Sequence, residues 1–242
     1  MTEAEWLWAA TPAALLGQLV TTSRKKRLYC VACCWRVAVL NEESGVRDAL
    51  EVAERYADGW ETRRRLDAAR EQCGWPSHFV PFSEPRSQPI VANAIAEVCQ
   101  PGTLFNAEAV LNWISQLFPH QTMDDEVAEF AAQRDLLNEL FGNPFCPVAF
   151  APQWRTDTAV TLARQMYEVR DFSAMPILAD ALQDAGCDNE DVLNHCRDPQ
   201  QTHVRGVLDR RFAVGQGIAC HEVNYDQSDD HRRWNPNFHF LR

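Results

Sequence analysis

The sequence predicts an all-α fold: an irregular domain of about nine or ten mostly short helices, followed by a non-periodic C-terminal tail. Three observations carry this expectation. From Arg24 to Leu40 a basic cluster leads into thirteen almost wholly apolar residues, with no proline or glycine among them. A helix apolar on nearly every side belongs in the interior of a protein, and thirteen residues fall short of the ~20 that cross a membrane. Helix caps and helical stripes recur from end to end, whereas the alternation of a half-buried strand does not. Finally, 46% of the 242 residues are hydrophobic, enough to bury a sizeable core.

The elements follow in order. Thr11-Pro12 places a capping hydroxyl before a proline at the first helical position, with Leu15, Leu16 and Leu19 as the apolar stripe. The central helix comes next, its basic run Arg24-Lys25-Lys26-Arg27 read as a solvated first turn. Val46, Ala49, Leu50, Ala53 and Ala57 then mark one face of an amphipathic helix that ends at Asp58-Gly59. A polar helix from Glu61 to Cys73 turns Leu66 and Ala69 inward. Residues 74–89, with four prolines and no periodicity, read as a long surface loop.

Helices resume over Ile90–Val98, and Asn106 caps a segment burying Val110, Leu111, Trp113, Ile114 and Leu117. Thr122 opens the clearest helix, with Asp124, Asp125 and Glu126 in its first turn and Val127, Phe130, Ala131, Leu137 and Phe141 as its stripe, stopped by Gly142. Beyond a proline connector, a helix from Thr156 or Asp157 to Val169 buries Val160, Ala163 and Met166. Pro176 opens another that ends at Ala185-Gly186, and Asp188 caps the stretch to Cys196. Residues 1–206 are read as one domain, the alternative being two helical subdomains divided in the proline-rich loop 74–89. Residues 207–242 are read as an aberrant tail, disordered or loosely packed.

Composition narrows the function classes. A net charge of -11 opposes general nucleic-acid binding, since a phosphate backbone repels an acidic surface. The N-terminus carries acids where a secretory signal needs positive charge. Nine cysteines, odd in number and including the adjacent Cys33 and Cys34, suit a reduced cytoplasmic protein better than a disulfide framework. The expected partner is another protein, with neither nucleic acid nor membrane.

MTEAEWL at the start, RLYCVACCWR, ALEVAERYADG, LLNELFGNPFCPV, MPILADALQDAGCDNEDVLNHCR and HVRG together resemble a highly paralogous family of bacterial proteins, plentiful in planctomycete genomes. The pieces are spread over residues 1–206, with a weaker match from about 74 to 130. The resemblance implies no activity. It does imply a C-terminus unlike the one present. Family members continue after HVRG with Cys-Trp, an aliphatic run and Leu-Leu-Leu-Gly-Lys, whereas Gly206 is followed here by VLDRRFAVGQG. A codon choice for Val207 to Gln216 exists that, read one base later, spells Cys-Trp-Ile-Val-Val-Leu-Leu-Leu-Gly. The expectation is a single-base frameshift that replaced an apolar helix; a codon at Val207 or Leu208 that cannot yield Cys-Trp removes it. An apolar surface uncovered by the lost helix would then favour self-association. Cys220, His221, His231 and His239, in the tail, are not read as ligands.

Three constellations could carry chemistry. Cys30, Cys33 and Cys34 share a helix face and could hold zinc, with Cys187, His195 or Cys196 as further ligands and His203 also within the choice. The plainer reading makes them small buried residues that let helices approach closely. Asp180, Asp184, Asp188 and Asp191 could gather a cation but read as a solvated face with capping acids. A dispersed enzyme pocket around Asp180 and His195, with Asp184 and Arg205, is the remaining alternative. No phosphate-loop, dinucleotide, nucleophile-elbow or zincin motif is present. The expected function is therefore that of a soluble, non-catalytic interaction or regulatory module without a cofactor. Zinc at the cysteine cluster is the first alternative, and the dispersed pocket the second.

Overall fold

The computed structural model describes residues 11–19, 21–40, 44–73, 87–117, 123–142, 151–199 and 201–206. They form ten α-helices and three 3-10 turns with no strand among the described residues, as the periodicity requires. No described helix is long and apolar enough to cross a membrane. The described residues fall into two compact units, one of residues 21–117 and one of 11–19 together with 123–206. The division does not lie in the loop 74–89, because the helices on either side of it belong to the same unit. The tail 207–242, the loop up to residue 86 and the N-terminal segment 1–10 lie outside the described residues.

The 21–117 unit is built around the helix that the sequence marks as central. Following α1 (Pro12–Gln18) of the other unit, α2 spans Ser23–Val37 and ends in a 3-10 turn over Ala38–Leu40. Thr22 caps it, its hydroxyl accepting from the Lys25 amide at 3.3 Å. Every residue from Leu28 to Cys34 is buried. Such a run covers all sides of a helix, so α2 needs neighbours all round, and α3 (Ser44–Ala57), α5 (Ser87–Val98) and α6 (Ala107–Ser115) pack against it. α4 (Arg63–Gln72) lies against α3. Of the expected stripe, Val46, Ala49, Leu50 and Ala53 are fully buried, while Ala57 is only half-buried. Gly45 explains how tightly α3 meets α4: a Cβ there would stand 2.7 Å from the Gln72 carbonyl oxygen. The helix α5 starts at Ser87, earlier than expected, because Pro89 falls in its first turn, where a missing N–H costs nothing.

The basic run is not a solvated turn. Arg24 donates to the Asp58 carboxylate through Nε at 3.0 Å and Nη2 at 2.6 Å, and the Asp58 side chain is almost fully covered. Arg27 is buried and, among the described residues, pairs with no carboxylate. Its guanidinium donates to the Val98 carbonyl at the end of α5 and lies over the rings of Phe105 and Tyr56, 4.2 and 5.3 Å from their centroids. Burial pushes its pKa down, with Tyr56 and two nearby thiols acting in the opposite sense. The negative end of a helix dipole and two aromatic faces, the latter worth ~2 kcal/mol when desolvated, take the place of a counterion.

In the other unit α1 packs on α7 (Met123–Phe141), while α8 (Asp157–Val169), α9 (Met175–Asp184) and α10 (Glu190–Arg197) form a separate apolar cluster. Met166, Leu178, Leu182, Leu193 and Cys196 are its centre, and Trp154 is buried in it. Asn189, not Asp188, caps α10, accepting from the Val192 amide at 3.0 Å. The stripe expected on α7 is also displaced. Val127 is 62% exposed and Ala131 is exposed. The buried face runs through Glu129, Gln133, Leu136, Leu137 and Leu140, an i, i+4, i+7, i+8, i+11 set that includes two polar residues. Gln133 donates to Glu129 at 3.0 Å within that face, so each polar group meets the other there.

Candidate functional site

The one place among the described residues where three or more His, Cys, Asp or Glu ligand atoms come within 4.8 Å of one another is Glu139, His195 and His203. Each arrives from a different segment. Glu139 sits near the end of α7 between the buried Leu137 and Leu140 and is itself covered, its side chain only 1% exposed. His195 lies in the last turn of α10, which Asn189 and the first-turn acids Glu190 and Asp191 start at a fixed point. His203 belongs to the non-helical segment 201–206, whose Arg205 donates through Nε and Nη2 to the Tyr167 and Glu168 carbonyls at 2.7 Å each. Those carbonyls end α8, so a cation caps a helix C-terminus. Gly206, with φ of 114°, then takes a backbone conformation that an L side chain rarely adopts.

His203 Nδ1 lies 3.0 Å from Glu139 Oε1, and His195 Nε2 lies 3.1 Å from Glu139 Oε2. The two rings meet edge to face with centroids 5.1 Å apart, and Phe172 covers His203 at 6.1 Å. Burial pushes the Glu139 carboxyl up, but the hydrogen bonds and charges of both histidines outweigh it and hold the group below its usual range. The Glu139 contact raises His195 against the opposing effect of burial. Burial, with the Glu139 charge added, pushes the neighbouring Cys196 thiol up to about 12. One contact is incomplete. His195 Nε2 stands 3.1 Å from Glu139 Oε2, but its alignment on this buried oxygen is poorer than that of His203 on Oε1.

The residues singled out from sequence are placed as follows. Cys30, Cys33 and Cys34 are fully buried in the 21–117 unit, where the Cys30 thiol donates to the Ala107 carbonyl at 3.8 Å. They belong to no set of three or more potential ligands among the described residues. Burial pushes the Cys30 and Cys34 thiols well up. Cys187, His195 and Cys196, named as their further ligands, belong to the other unit. Asp180 is exposed and bound to Arg197 at 2.8 Å, while Asp184, Asp188 and Asp191 are exposed as well. Asp180 and Asp184 are not in the group formed by Glu139, His195 and His203. Glu139 was missed; its signal was a carboxylate set between leucines on an apolar helix face.

No family model, no curated protein and no solved structure matches this chain. Its resemblance to the paralogous bacterial family rests on the motif residues alone. In the structure those residues do structural tasks: Arg27 and the thiols of RLYCVACCWR fill a core, and His203 and Arg205 of HVRG hold their segment against two helices.

Proposed function

We propose that this chain is a non-catalytic helical module of the cytoplasm that acts by interaction or regulation. The observation that carries the reading is the state of the thiols on α2. Cys30, Cys33 and Cys34 are wholly buried, and burial drives the first and last of them strongly towards the protonated form, which is neither nucleophile nor metal ligand. Their small volume serves close helix packing instead. The seven described cysteines are all free and buried, which supports a reducing compartment. The test pairs two measurements on the purified chain. Light scattering with the products of adjacent genes is expected to give a stoichiometric complex. Panels of ester, phosphoester and peptide substrates are expected to show no turnover beyond that of Glu139→Gln. Turnover by the wild-type chain that Glu139→Gln abolishes overturns the reading.

A further inference from the structure

We propose that Glu139, His195 and His203 form a binding site for one divalent transition-metal ion of the zinc class, which pins the segment 201–206 and α10 to α7. The argument begins from the donor set. Two imidazole nitrogens and one carboxylate oxygen suit zinc and its first-row neighbours, and all three ligand atoms lie within 4.8 Å of one another. The spacing is right. A cation ~2.1 Å from each of two atoms separated by 3.1 Å subtends roughly 95° at the metal, between octahedral and tetrahedral values.

A second observation points the same way. The Glu139 oxygen facing His195 is buried and lacks an aligned hydrogen bond, although a ring nitrogen stands 3.1 Å away. A proton on His195 can lie between these two atoms, and a divalent cation can take that proton's place. A metal satisfies both atoms at once. Phe172 shields the His203 side, and His195, 34% exposed, leaves the other side open to a water as fourth ligand. Because the three ligands come from segments distant in sequence, binding free energy is also folding free energy for this end of the unit. The site is distinct from the cysteines of α2, which supply no ligand to it.

The test is a titration of the metal-free, full-length protein with cobalt(II), followed by displacement with zinc(II). The expected result is one cobalt per chain, with d–d absorption and no sulfur-to-cobalt charge-transfer band. Glu139→Gln and His203→Gln should each weaken binding roughly ten-fold or more, and the combined Cys30→Ala, Cys33→Ala, Cys34→Ala variant should leave it unchanged. His195→Gln, at the part-exposed ligand, carries the same test should the buried variants unfold, and zinc should also protect His195 from diethyl pyrocarbonate in the wild-type chain. Absence of stoichiometric binding, a thiolate charge-transfer band, or affinity unchanged by the histidine and glutamate substitutions overturns the proposal.

Discussion

The two units differ in the partners that most of their buried polar groups meet. In the 21–117 unit Arg27 meets the Val98 carbonyl and the thiols of Cys30, Cys73 and Cys99 meet the carbonyls of Ala107, Gly45 and Ala49, although the covered Asp58 is met by the Arg24 side chain. In the other unit the buried polar groups find side chains, Glu129 with Gln133 and Glu139 with two histidines. A backbone carbonyl at a helix end is supplied by any sequence that folds. A side-chain partner is supplied only by particular residues elsewhere in the chain. The second arrangement is the one that can acquire chemistry.

Substitutions can break the contrast, the largest effect first. Cys34→Asp puts an uncompensated carboxylate at the centre of α2 and should cost about 4 kcal/mol or more in chemical denaturation, enough to unfold a marginal unit. A loss under about 1 kcal/mol would mean that water reaches that position. Glu139→Ala should cost about 3 kcal/mol, because it strips the covered His203 and the part-exposed His195 of their acceptor. Hydrogen exchange should show the loss concentrated at 190–206. Arg27→Lys keeps the charge but loses the planar stack on Phe105, and a cost of about 2 kcal/mol is expected by thermal melting.

How much of this was legible follows the same contrast. The burial of α2 was readable because a helix apolar on every face has one physical solution. The caps at Thr11 and Asn106 and the helix start at Thr156 were readable because the capping side chain lies within three residues of its target, whereas the cap at Thr62 was passed over. The orientation of α7 was not. Its apolar residues permit more than one stripe, and the choice is made by Glu129, Gln133 and Glu139, whose partners include residues 56 and 64 positions away for Glu139. Likewise Arg27 looked solvated because its compensation comes from the end of α5, 71 residues on.

Two smaller effects sharpen the picture. Gly45→Ala forces a Cβ to within 2.7 Å of the Gln72 carbonyl oxygen and should lower stability by about 1 to 2 kcal/mol, read as a shift in denaturation midpoint. Glu97 is a milder case of uncompensated burial. Burial raises its pKa, opposed by the Asn106 amide and Arg70, so its contribution to stability is present at low pH and lost as pH rises through the folded value. Glu97→Gln should therefore stabilise the chain at pH 7, by less than about 1 kcal/mol after solvent screening. The gain should vanish below about pH 3, where the wild-type carboxyl is protonated in both states. A gain that grows on acidification would contradict the sign.

The account rests on α2 lying dry at the centre of its unit, and thiol labelling read by mass spectrometry tests this most directly. Under native conditions Cys30, Cys33 and Cys34 should resist an alkylating reagent and become modified only as denaturant unfolds the unit, all three together. Modification of any of the three in the native protein, at the rate of an exposed cysteine, would contradict it.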